Sequence, residues 1–125
     1  MKKILVVDDE PEFVELVKAR LEASDYEVST AANGKEALEK LRSEKPEAVL
    51  LDILMPGLDG LSVLKRIRRH YKKLPVFILT AFSNEERFGL AKKLGASGFI
   101  VKTKDLKKEV ANITGILRLS DKYQR

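Results

Sequence analysis

Cysteine is absent from this 125-residue chain, which excludes a disulfide scaffold and any thiolate-ligated zinc module. Histidine occurs once, as His70. It sits in a basic run that reads as a solvated helix face, so no catalytic triad or His-based metal site is expected. Long apolar runs are missing. Ala48 to Leu51 and Val76 to Leu79 fall far short of the ~18 residues a membrane span needs. The Met1-Lys2-Lys3 start runs on into acids rather than into an apolar signal core, which points to a reducing cytoplasm. A glycine-rich phosphate loop is also lacking. The first strand-like run is followed by Asp8-Asp9-Glu10-Pro11, which repels a phosphate and argues against a flavodoxin-type nucleotide binder.

What remains fits one compact domain over residues 1–119 with a short tail at 120–125 and no room for a separate output domain. At this size roughly two-thirds of the unfolded surface can be buried without a cross-link. The net charge of +5 hides an asymmetry. Residues 1–62 carry 8 basic and 14 acidic side chains, a net −6, and the remainder carries 16 basic and 5 acidic, a net +11. The basic half suggests nucleic acid, motivated by Arg66, Arg68, Arg69, Lys72 and Lys73 and by Lys92, Lys93, Lys104, Lys107 and Lys108. No groove-reading unit accompanies them, and Tyr71 is the only interleaved aromatic, so a solvated face is the better reading.

Two kinds of segment alternate along the chain. Short aliphatic runs at Lys3 to Val7, Glu27 to Ala31, Ala48 to Leu51, Val76 to Leu79 and Phe99 to Val101 have strand length. All but the second are too continuously apolar for a sheet with one wet face. Between them, Phe13, Val14, Val17 and Leu21, then Ala37, Leu38 and Leu41, then Leu61, Leu64 and Ile67 recur at helical spacing. Phe88, Leu90, Ala91 and Leu94, and finally Leu106, Val110, Ile113 and Leu117, do the same. Pro11 suits a first helical turn, Asn33 with Glu36 and Ser83 with Glu86 have capping-box spacing, and Gly95 suits a helix end. Five strands each followed by a helix imply a doubly wound α/β domain with a parallel sheet, and an order of 2-1-3-4-5 would bring the acidic ends of its first and third strands side by side at the switch point.

Ligands in such sheets bind beyond the carboxyl ends of the strands, where the strand order reverses. The runs end in Asp8 and Asp9, in Asp52, in Thr80 and in Lys102, whereas the second ends in Ala31 and Ala32, as suits an edge. A single Asp after a strand is usually a cap or a turn residue. Four of five strand ends carrying Asp-Asp, Asp, Thr and Lys constitute a site. Three close carboxylates need a compensating cation, and oxygen ligands with room for water and phosphate favour Mg²⁺. With the Lys102 ammonium, the set has the parts for phosphoryl transfer to Asp52, the solitary nucleophile, with Asp8 and Asp9 holding the metal.

In these words the chain resembles a response-regulator receiver domain, the phosphoacceptor module of two-component signalling. The resemblance rests on Ile4 to Val7 with Asp8-Asp9-Glu10, on Val49 to Asp52 followed by Met55-Pro56-Gly57, and on Asp59-Gly60. Leu79-Thr80-Ala81, Gly95-Ala96, and Phe99 three residues before Lys102 complete it. The resemblance implies that Asp52 accepts a phosphoryl group from a sensor histidine kinase, a phosphotransfer protein or a small phosphodonor. Asp9, Asp52 and the Leu54 backbone carbonyl would hold Mg²⁺, with Asp8 acting through water. Thr80 and Lys102 would contact phosphoryl oxygens, aided by the amides of Ile53 and Ala81. Phe99 is either the switch aromatic or a core residue. The face of the fourth helix, fifth strand and fifth helix would then control a partner with an acidic surface. The implied role is a signalling domain rather than an enzyme, assisting only its own phosphotransfer and dephosphorylation.

Departures from the family pattern are specific. Thr103 follows Lys102 where proline with a cis bond is usual, and a non-proline cis bond costs about 3 kcal/mol. Thr103 can instead cap the last helix. Ser97 and Gly98 replace the acids often found before the switch aromatic in receivers that pair through the fourth and fifth helices. Leu54 and Phe82 are apolar where an amide or acid would orient water, which predicts slow loss of the phosphoryl group. Leu54 also stands where an aspartyl-phosphate hydrolase would carry its second acid.

Overall fold

The computed structural model describes residues 2–53, 60–80 and 85–101, together with residues 108, 111, 113 and 115–118. Strand β1 (Lys2–Val7) leads to helix α1 (Pro11–Ala23), then β2 (Tyr26–Ala31), α2 (Gly34–Glu44), β3 (Ala48–Asp52), α3 (Gly60–His70), β4 (Val76–Thr80), α4 (Glu85–Lys93) and β5 (Gly98–Val101). The described residues from 108 to 118 are helical and form a fifth helix, α5. The strands make one parallel sheet in the order β2-β1-β3-β4-β5. Both the class and the order expected from the sequence hold. No helix among the described residues is long and apolar enough to cross a membrane.

Side chains alternate across a strand, so a sheet buried on both sides needs apolar residues at every position. Ile4, Val6, Leu50, Phe77, Leu79 and Ile100 meet Phe13, Val17 and Leu21 of α1 and Ile113 and Leu117 of α5 on one face. Leu5, Val7, Val49, Leu51, Val76 and Ile78 meet Ala37 and Leu41 of α2, Val63, Leu64 and Ile67 of α3 and Ala91 of α4 on the other. Each fully buried aliphatic side chain contributes about 1.5–3 kcal/mol. The edge strand β2 is the exception, with Glu27 exposed and Val28, Ser29 and Thr30 half-buried.

Local signals set the helix ends. Pro11 occupies the first turn of α1, where its missing N–H has no partner to lose. The Glu36 N–H donates to Asn33 Oδ1 at 2.9 Å while Glu36 Oε2 accepts from the Ala32 N–H at 3.3 Å, so the capping spacing is realised at α2. The Ser83 cap lies outside the described residues. After α4, Gly95 has φ +97°. The Ala96 N–H donates to the Ala91 carbonyl and the Gly95 N–H to the Lys92 carbonyl, a glycine-terminated Schellman ending. Of the apolar stripe expected on α4, Ala91 is buried and Leu94 packs against the core, whereas Leu90 is 45% exposed and the Phe88 side chain lies outside the described ones.

Candidate functional site

Strand pairing brings the acidic residues together. Val7 lies beside Leu51 in the β1–β3 ladder, so the next residue of each strand, Asp8 and Asp52, falls at the same carboxyl end. Both are buried, at 2% and 4% exposure. The Asp8 N–H donates to the Ala31 carbonyl at 3.0 Å, and Asp8 Oδ1 accepts from the Glu10 N–H at 3.0 Å. That turn brings the exposed Glu10 side chain beside the two buried carboxylates. Carboxylate oxygens of Asp8, Glu10 and Asp52 lie within 4.8 Å of one another. Ionised carboxylates this close, two of them nearly shut off from water, repel strongly unless a cation sits among them. The donors are all oxygen, the set a hard divalent ion takes.

Gly60 closes the floor of this site. A Cβ there would collide with the Ile53 backbone and lie 2.6 Å from the Asp52 carbonyl oxygen. Its N–H donates to the Ile53 carbonyl at 3.3 Å. The first residue of α3 is thereby held directly beneath the end of β3. Only glycine permits that approach.

The other residues singled out by the sequence fall as follows. Asp9 and Glu10 are both exposed; Glu10, not singled out as a ligand, belongs to the carboxylate group and Asp9 does not. Thr80 ends β4 opposite Val101, and Leu79 pairs with Asp52, so its backbone lies one register step beyond the nucleophile candidate. Phe99 pairs with Ile78 and is half-buried against the cluster covered by α2, α3 and α4. Leu54, Phe82, Lys102 and Thr103 lie outside the described residues.

One member of the supposed basic patch is misassigned. Arg68 is half-buried and serves the fold. Its Nε donates to the Gly95 carbonyl at 2.9 Å and its Nη1 to the carbonyls of Tyr71 and Leu74 at 2.8 and 2.6 Å. Partial burial lowers its pKa from the usual value. Ser97, at a position where related domains often carry an acid, accepts from the Val76 N–H through Oγ at 3.0 Å. Sequence spacing cannot show these roles, because they join two loops, the one before β4 and the one before β5, that are distant in the chain.

The family of response regulator receiver domains matches residues 4–114. This chain belongs to that family. The receiver domain is 42% identical over 120 residues to the alkaline phosphatase synthesis transcriptional regulatory protein PhoP of Bacillus subtilis, covering 96% of this chain and 50% of that protein. It thus spans about half the length of the curated relatives it matches. The BeF₃-activated N-terminal receiver domain of Klebsiella pneumoniae RstA is similar in structure, with a TM-score of 0.84, 35% identity, and coverage of 94% of this chain and 97% of that one. The Mn²⁺-bound form of response regulator Rcp1 gives 0.83 and 30%, with coverage of 93% and 91%.

Proposed function

We propose that this receiver domain accepts a phosphoryl group on Asp52 and relays the change to a partner through the face built from α4, β5 and α5. The observation that carries the proposal is the buried Asp52 carboxylate at the end of the central strand, beside Asp8 and Glu10. A carboxylate oxygen of Asp52 attacks phosphorus and a P–O bond forms. The P–N bond to a sensor kinase's phosphohistidine breaks, and its electron pair returns to the imidazole, which takes up a proton from water. The same reaction with a small phosphodonor breaks a P–O bond to the leaving oxyanion.

Mg²⁺ fits the donor set and supplies neutralisation of charge on the phosphoryl oxygens. Asp8, Glu10 and Asp52 offer oxygens from the described residues, and Asp9 and the Leu54 carbonyl are the further ligands the sequence suggests. A divalent ion in the related Rcp1 supports this reading. Thr80 and Lys102 are assigned to the phosphoryl oxygens. Phe99, half-buried on β5, is the switch aromatic in this scheme. The domain acts as a cytoplasmic signalling module rather than an enzyme, and its phosphorylated form decays slowly.

Incubation with Mg²⁺ and acetyl phosphate followed by mass spectrometry tests the proposal. The wild type is expected to gain one phosphoryl group and Asp52→Ala none. Equal labelling of both would refute it. The decay of the acyl phosphate should be faster in Leu54→Asn than in the wild type, because an amide can orient an attacking water.

A further inference from the structure

At the opposite end of the sheet from the carboxylates, a cavity of about 560 Å³ lies between the C-terminal halves of α2 and α3. Its described lining is Leu38, Leu41 and Arg42 from α2, Arg66, Arg69 and His70 from α3, and Tyr71 just beyond. The two triplets follow the same i, i+3, i+4 spacing, so each presents one face of a single helical turn. Leu38 and Tyr71 pack on the core and give the cavity an apolar floor. Its rim is three exposed guanidiniums and an imidazole.

The lining has no acid among the described residues. Arg42, Arg66, Arg69 and His70 likewise have no ion pair or side-chain hydrogen bond among them. Arg68 shows the contrast, since its guanidinium is taken up by backbone carbonyls. The Tyr71 backbone is fixed by its N–H bond to the Ile67 carbonyl at 2.7 Å and by Arg68 on its own carbonyl. The floor is therefore largely preformed, which lowers the ordering cost of binding.

We propose that this cavity binds an organic polyanion of the nucleoside-phosphate class, its base on Leu38, Leu41 and Tyr71 and its phosphates on the arginines. Guanidinium forks match phosphate in bidentate geometry, and the described lining contains no lysine. The volume falls within the ~300–1,000 Å³ of small-molecule sites. An acidic peptide fits less well. The basic ring extends over one turn of each helix, about 6 Å, and an extended chain covers that with roughly two residues.

Calorimetric titration of the full chain with ATP in EDTA, so that divalent ions do not engage the acidic end, tests the site. Inorganic phosphate and a polyglutamate peptide are the comparison ligands. ATP is expected to bind about tenfold more tightly than phosphate and to shift the amide resonances of Leu41 and Tyr71. The double substitution Arg66→Gln with Arg69→Gln, both exposed, should weaken ATP by about tenfold. Removing the same charge from α4, with Lys92→Gln and Lys93→Gln, should change it by less than about twofold. Absence of ATP binding, equal weakening in both double variants, or tighter binding of polyglutamate than of ATP overturns the proposal.

Discussion

Gly60 and Glu10 are the residues whose importance is set by contact rather than by chemistry visible in the chain. Gly60 touches the strand end that carries Asp52, and any side chain there meets the Asp52–Ile53 backbone. Gly60→Ala should cost about 2 kcal/mol in urea unfolding and slow phosphorylation, because α3 must shift away from Ile53 and take the floor of the site with it. Glu10 joins the carboxylate group and its equally exposed neighbour Asp9 does not. The sequence offers three consecutive acids and no rule for which of them meet Asp52. That is decided by the turn in which the Glu10 N–H bonds Asp8 Oδ1. Asp9→Asn and Glu10→Gln are each expected to weaken Mg²⁺ binding severalfold by removing one nearby negative charge, measured as the Mg²⁺ dependence of phosphorylation by acetyl phosphate.

Among the elements, α3 links the most distant parts of the fold. Its first residue lies under Asp52, and Arg68 in its last turn ties the loops before β4 and β5. Arg68→Ala leaves the carbonyls of Gly95, Tyr71 and Leu74 without their charged donor. It should cost about 2–3 kcal/mol, and Arg68→Lys, whose three donors sit on one nitrogen and cannot span both loops, should recover only part of that. Gly95→Ala adds a Cβ 2.8 Å from Arg68 Nε at a left-handed position. A loss of about 1–2 kcal/mol is expected from the φ penalty and that clash together. Thermal or denaturant unfolding reads both. Helix α4 belongs at the other extreme. Among its described side chains it buries Ala91 and leaves Leu90, Lys92 and Lys93 outward, which supports the proposed partner face. Neutralising Lys92, Lys93, Lys107 and Lys108 should weaken binding of an acidic target surface while sparing phosphorylation.

At the scale of the whole molecule, the carboxylate group and the arginine-lined cavity lie at opposite ends of the sheet. The carboxylates gather beyond the strand ends, and the arginines of the cavity gather at the far ends of α2 and α3. Mg²⁺ binding only to the folded state should raise the melting temperature of the wild type by mass action. Asp52→Ala should lose most of that rise, and EDTA should abolish it in the wild type, as followed by calorimetry. The net charges of the two halves anticipated part of this division. They did not separate Arg68, whose charge is spent on backbone carbonyls, from Arg66 and Arg69, whose charge faces the cavity.

By itself the sequence determined the alternation of strands and helices and the parallel sheet, because strands buried on both faces must be apolar throughout and helices must show one apolar stripe; the strand order was expected only because it brings the acidic strand ends together, and the sheet has that order. It also placed Asp8 and Asp52 at neighbouring strand ends. The tertiary structure alone decided which of the three leading acids meet, why residue 60 must be glycine, and which arginines are free to bind. Each of those outcomes depends on a close approach between segments distant in the chain, and such distances have no signature in residue spacing.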